Sequence, residues 1–522
     1  MLAESPRPLA APAAAAAAAA PLGSERGSTY RQILKSTALI GGSSLVNVAV
    51  GVLRTKAMAM LLGPAGFGLM GVFTSIADLT RSLAEMGINS SGVRQIAEAA
   101  GTGDQQRIAR TVVVLRRTAV LLGLIGALLL LLFARPISTF TFGTDTQAGA
   151  VALLSAAVFL RLVSDGQCAL LQGMRRIPDL ARIGVAGSLL GTLAGVPIVY
   201  WLREDGVVPA LVAVAAGTTL TSWWYVRRVA VVPCRVTMPE MRQEAASLLQ
   251  LGAAFMASGL LMMGAAYVVR LIVLRESGLA AAGFYQAAWT LGGLYVGFVL
   301  QAMGADFYPR LVAAIEQPDD ANRLVNEQAQ VSLLLAGPGV IATLTLAPAV
   351  VALLYSQEFS QAVGLLRWLC LGMALRVLTW PMGYIIVARN RRVLFFGSEL
   401  AWTVVNVALS WVCVKAFGLD GAGIAFFGSY VFHGVLVYAV SRQLTRFAFT
   451  PAVRNAALLY VASIGAVFVS FQTLPTVWAM AIGLLLTSAA TVFSVRALYR
   501  IAGLENAPRS VLRIFNKLGF AR

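Results

Sequence analysis

The sequence is poor in charge. Only 12% of its 522 residues are Asp, Glu, Lys or Arg, about half the share found in ordinary soluble domains. A single large water-soluble domain is therefore excluded. Histidine occurs once, as His433, and the four cysteines (Cys168, Cys234, Cys370 and Cys413) stand far apart. No CxxC pair and no His/Cys/Asp cluster has metal-ligand spacing, so neither disulfides nor a metal or other cofactor is expected. No GxxxxGK[ST] loop occurs, and ATP hydrolysis by the chain itself is not expected. The connections on the predicted outer side are also all short.

In their place the chain is 58% hydrophobic, arranged in runs of about twenty residues, the length that crosses a bilayer core. Fourteen such runs are predicted, from 37–62 and 66–90 through to 456–473 and 478–496. They are continuously apolar rather than alternating, which argues for helices over a closed barrel. The expected fold is an all-α polytopic membrane protein of about 14 transmembrane helices. Pro197, Pro338 and Pro381 fall inside runs and should kink them. The first segment, 1–30, is Ala- and Pro-rich and reads as a disordered cytoplasmic tail. The last, 498–522, places Val511, Leu512, Phe515 and Leu518 on one helical face against Arg509, Arg513 and Lys517 on another. It reads as a basic amphipathic tail at the membrane surface.

The net charge of +18 first suggests nucleic acid. Its distribution suggests a membrane instead. With the N-terminus inside, alternate connections hold 30 of the 41 Lys and Arg, and the remaining connections hold only Arg135, Arg203, Arg275 and Lys415. This bias puts both termini in the cytoplasm, with basic loops such as Arg389 to Arg392 against anionic membrane lipids. No nucleic-acid partner is expected.

Matches recur at an offset near 216. Ala65-Gly66-Phe67 repeats as Ala282-Gly283-Phe284, Leu160-Arg161 as Leu375-Arg376, and Asp205-Gly206 as Asp420-Gly421. An offset of six runs makes two parallel six-helix halves, 31–235 and 236–445, followed by two additional helices in 446–497. Parallel repeats are common in transporters, with the substrate site between the halves.

The stretch Leu62-Gly63-Pro64-Ala65-Gly66-Phe67-Gly68, with Glu85-Met86-Gly87-Ile88-Asn89 after it, resembles the first hairpin of O-antigen and enterobacterial-common-antigen flippases. Tyr308-Pro309-Arg310-Leu311 and the basic loop Arg389 to Arg392 resemble later connections of that family. The family belongs to the multidrug/oligosaccharidyl-lipid/polysaccharide exporter superfamily. The resemblance implies two bundles in a V around a central cavity, working by alternating access. It implies a substrate of undecaprenyl-diphosphate-linked oligosaccharide, moved from the cytoplasmic to the periplasmic leaflet of the bacterial inner membrane for surface polysaccharide biosynthesis. A polysaccharide polymerase and chain-length machinery are the expected protein partners. The two additional helices are more like the lipid II flippase branch.

Charge at membrane depth is costly, so it normally faces a cavity or a partner. Seven basic residues lie within the runs: Arg54, Lys56, Arg81, Arg161, Arg270, Arg367 and Arg376. Arg54, Lys56, Arg81 and Arg270 are the expected contacts for an anionic diphosphate, to which arginine offers a bidentate fork. Snorkelling to the headgroups is the alternative, strongest for Lys56 and Arg270 near run ends. Asp78, Arg81 and Glu85 share one helix face, and Arg161 and Asp165 form an i,i+4 pair. Asp78, Glu85 and Asp165 are the expected proton- or sodium-coupling acids, with simple charge pairing as the alternative. Glu399 reads as interfacial, His433 as a helix-packing residue, and the Trp and Tyr residues near run ends as an interface belt. The excess of basic over acidic residues in the runs favours an anionic substrate over a multidrug exporter's cations. Short loops disfavour an enzyme such as a polymerase or ligase.

Overall fold

In the computed structural model the described residues are 22–102, 104–229, 234 and 236–502. Among them all regular structure is helical. The helices are α1 (Leu22–Glu85), α2 (Ile88–Thr102), α3 (Gln105–Leu132), α4 (Ala134–Phe142), α5 (Ala148–Gly173), α6 (Ile177–Leu202), α7 (Val207–Val226) and α8 (Met238–Ser277). They continue as α9 (Leu279–Ala314), α10 (Pro318–Thr345), α11 (Ala347–Leu354), α12 (Ala362–Ala388), α13 (Arg392–Phe417), α14 (Asp420–Thr445), α15 (Pro451–Thr473) and α16 (Thr476–Ala502). Ten stretches among the described residues are long and apolar enough to cross a membrane. This is a multi-pass membrane protein.

The first two predicted runs form one helix with a bend. Gly63 leaves the helical conformation at φ 63°, ψ −176°. Pro64 disfavours a helical residue before it, and glycine alone takes positive φ without cost, so this pair can turn the chain sharply. The second arm ends at Glu85, earlier than residue 90, because Met86 and Gly87 both take positive φ. Three helices were not anticipated: α2 after that break, and the short α4 and α11. Helix α1 starts at Leu22, inside the segment read as a tail. The C-terminal amphipathic segment lies outside the described residues beyond Ala502. Pro197, Pro338 and Pro381 sit inside α6, α10 and α12.

Close contacts give the relative directions of the helices. Gly187, Gly191 and Gly195 of α6 meet Thr218, Val214 and Ala210 of α7, an antiparallel register built on missing side chains. Gly184 and Gly195 of α6 meet Asn47 and Met58, so the first arm of α1 runs parallel to α6. Thr219 and Ser222 of α7 bond Leu160 and Gln167, so α5 runs parallel to α7. The second arm pairs in parallel with α5 through Asp78–Arg161 and Arg81–Asp165. The chain therefore reverses direction at Gly63, as two successive membrane crossings require. Further on, Gly68 abuts the backbone of Leu279 and Gly283, bringing α1 against α9. Helices α15 and α16 dock on α10, with Gly337 under Tyr460 and Gly483 under Thr345. Arg367 of α12 lies 3.7 Å over the Phe471 ring of α15.

Candidate functional site: an arginine-lined cleft backed by an ion ladder

Between the first arm of α1 and α9 lies a cavity of about 210 Å³. Val48, Val52, Leu291 and Leu294 make its apolar walls, and Arg54, Thr55, Thr290 and Tyr355 its polar surface. Arg54 sits about 13 Å from the Gly63 bend, at 1.5 Å per residue. Toward that bend the cleft is sealed by edge-to-face aromatic rings. Phe67 contacts Tyr355 at 5.5 Å and Phe359 at 5.7 Å, and Phe284 contacts Phe359 at 5.9 Å. All four rings are buried.

Arg270 does not line this cleft. It is buried between α8 and α9, where it donates to Gln286 Oε1 at 2.5 Å. Gln286 donates in turn to Thr290 Oγ1 at 3.4 Å, so one polar layer separates Arg270 from the cleft. The first arm of α1 and α8 thus present one arginine on the wall and one behind it. Lys56 is half-buried and is not part of the lining.

Behind Arg54 the second arm of α1 and α5 are joined by an ion ladder. Arg161 donates to Asp78 at 2.7 Å, and Arg81 donates to Asp165 at 2.9 Å and to Glu85 at 3.1 Å. The i,i+4 pairing of Arg161 with Asp165 read from the sequence gives way to crossed pairing between helices. Parallel packing sets Asp78 beside Arg161 and Arg81 beside Asp165, and each arginine takes the carboxylate opposite. The shared face of Asp78, Arg81 and Glu85 is present, and Arg81 donates from one nitrogen, Nη1, to two carboxylates. Arg54 lies within electrostatic range of Arg161, and Arg270 within that of Asp78. Four arginines therefore face three carboxylates, leaving one net positive charge beside the cleft.

Sequence reasoning missed Gln286, Thr290 and Tyr355. The first two carry a signal, polar residues at i,i+4 in an apolar run. Tyr355 carries none, because its place depends on how α11 folds back. Among the described residues no cluster of His, Cys, Asp and Glu is arranged to hold a metal.

Among the described residues this is an all-helical, multi-pass fold with charge gathered around an interior cleft. It superimposes on an inward-facing multidrug resistance MATE family transporter of the MOP superfamily with a TM-score of 0.61 at 18% identity, covering 77% of this chain and 96% of that one. It also superimposes on a lipid II flippase in an inward closed conformation, with a TM-score of 0.63 at 13% identity, covering 88% and 99%. The chain itself belongs to the polysaccharide biosynthesis protein family whose model matches residues 57–364. It is similar to the lipid III flippases of Escherichia coli (strain K12) and Shigella flexneri. Each is 25% identical over 409 residues, covering 76% of this chain and 95% of theirs.

Proposed function

We propose that this protein is a flippase for lipid-linked oligosaccharide, moving an undecaprenyl-diphosphate-linked glycan from the cytoplasmic to the periplasmic leaflet of the inner membrane. The observation that carries this reading is Arg54, a cation on the wall of a largely apolar cleft next to net positive charge. A diphosphate held there accepts a charge-assisted hydrogen bond, about twice the strength of a neutral one. Family membership and likeness to the lipid III flippases support the lipid-linked substrate. Arg270 has a positioning role through Gln286 and Thr290. Both termini are cytoplasmic, following the basic loops. The ladder acids Asp78, Glu85 and Asp165 couple transport to a proton or sodium gradient, because exchanging a proton or ion there breaks the link between α1 and α5. A polysaccharide polymerase and chain-length machinery receive the product.

Purified protein in liposomes loaded with undecaprenyl-diphosphate-linked N-acetylglucosamine tests this reading. Arg54→Ala is expected to slow flipping tenfold or more, and Arg54→Lys to restore part of the rate because it keeps the charge and loses the fork. Normal flipping by Arg54→Ala at equal protein levels overturns the assignment. The MATE-like fold favours a second reading, export of amphiphilic cations. On that reading Arg54 repels the substrate, so Arg54→Ala raises transport of a cationic dye.

A further inference from the structure

Helix α13 is polar on the side turned into the protein. Leu400, Val404 and Trp411 point outward and are exposed, whereas Ser398, Asn406 and Ser410 are buried. Glu399 and Trp402 are half-buried along the same inward side. Glu399 lies about 10 Å into α13, deeper than an interfacial residue. A membrane helix whose inner face is polar lines something that needs polar groups. This face packs against α8 and α14. From α14, Tyr430 and His433 meet Trp402, with ring centroids 5.6 Å and 6.0 Å away. From α12, Arg376 stands within electrostatic range of Glu399 and His433 without a close ion pair.

Two buried polar atoms in this cluster have no hydrogen-bond partner, Trp402 Nε1 and His433 Nδ1, and two turns further along α13 Ser410 Oγ has none either. Leaving buried polar groups unpaired is costly, so the two within one aromatic cluster call for a ligand. The indole donates, the hydroxyl does both, and the imidazole nitrogen accepts or donates according to tautomer. A bare cation needs converging oxygens, whereas here one carboxylate stands among aromatic rings and donors. A sugar ring has C–H faces that lie on electron-rich aromatic surfaces and hydroxyls that meet mixed donors and acceptors. Contiguous aromatic contacts run from this cluster to Arg270, one polar layer from the cleft. Arg270 lies over Tyr285, Tyr285 stacks on Trp289, Trp289 meets Phe426 at 5.3 Å, and Phe426 meets Tyr430 at 4.9 Å.

We propose that Trp402, Tyr430 and His433, with Glu399 and Arg376, form a subsite for a pyranose ring of the transported glycan. The proposal rests on the flippase reading above and adds where the sugar is recognised. The test measures binding of two probes to purified full-length protein: undecaprenyl diphosphate, and the same lipid bearing N-acetylglucosamine. The wild type is expected to bind the glycosylated lipid at least tenfold more tightly. Trp402→Leu should erase that difference without changing affinity for the bare lipid, and Trp402→Phe should keep most of it. Arg54→Ala should weaken both probes alike. Thermal melting of each variant confirms that it is folded. Equal affinity of the wild type for the two lipids overturns the subsite, and so does a Trp402→Leu loss that affects both equally. Failure of the wild type to bind either lipid overturns the flippase reading itself. A Glu399→Gln variant that binds the glycosylated probe normally but loses dependence on an ion gradient assigns the cluster to an ion instead.

Discussion

The ladder between α1 and α5 is tested most sharply by reversing one rung. Asp78 and Arg161 approach to 2.7 Å with side chains about a third exposed, 32% and 34%. With charge centres about 4 Å apart, the attraction is about 4 kcal/mol at the effective dielectric of a partly wetted site. Desolvation and side-chain ordering offset most of this, and a net of about 1–2 kcal/mol remains, above an exposed pair and below a fully buried one. Asp78→Arg alone turns attraction into repulsion and also places a third arginine beside Arg54 and Arg161. The net effect should exceed about 3 kcal/mol, enough to lower folded yield severely. The double reversal, Asp78→Arg with Arg161→Asp, restores the pair and should recover most of the folded protein. The assay is detergent-solubilised yield by size-exclusion profile, followed by melting temperature. A double variant no better than the worse single one refutes the pairing. Additive effects in an Asp78→Asn, Arg161→Met double-mutant cycle refute the coupling.

Other consequences follow from single contacts. A Cβ at Gly283 would land on the carbonyl of Pro64, so Gly283→Ala should force α9 away from α1 and cost about 1–3 kcal/mol, read as a lower melting temperature; an unchanged melt would show that this crossing is loose. At the start of α8, Glu240 accepts from the Thr237 backbone N–H at 2.9 Å and from its hydroxyl at 2.8 Å, and these bonds hold its carboxyl below the ordinary range. A lowered carboxylate stabilises the folded helix start above the ordinary carboxylate range and loses that contribution as pH falls through the depressed value. Hydrogen exchange in the first turn of α8, corrected for intrinsic rates, should therefore rise on acidification in the wild type and be insensitive to pH in Glu240→Gln. In a cysteine-free background, an impermeant thiol reagent applied to intact cells should label Glu204→Cys and spare Arg391→Cys; the opposite pattern inverts the topology.

Much of the fold was legible because a bilayer imposes a harsh rule on sequence. Backbone groups in hydrocarbon must pair within a helix, so long apolar runs and the bias of basic loops reveal crossings before any packing is known. The bend at Gly63-Pro64 was readable as a boundary for the same local reason. The candidate residues were legible as charges where charge is expensive. Their partners were not. Spacing along one helix ranked Arg161 with Asp165, but the register between the second arm of α1 and α5 pairs Arg161 with Asp78 and Arg81 with Asp165. Arg54 and Arg270 were both expected to contact one substrate, yet the cleft takes Arg54 while Gln286 claims Arg270. His433 and Glu399 looked incidental until α12, α13 and α14 set them beside Arg376 and Trp402. Membrane depth is a property of each segment alone, so the sequence by itself determined which residues must find a partner. The partner depends on the rotation and register of helices far apart in the chain, and only the tertiary structure decided that.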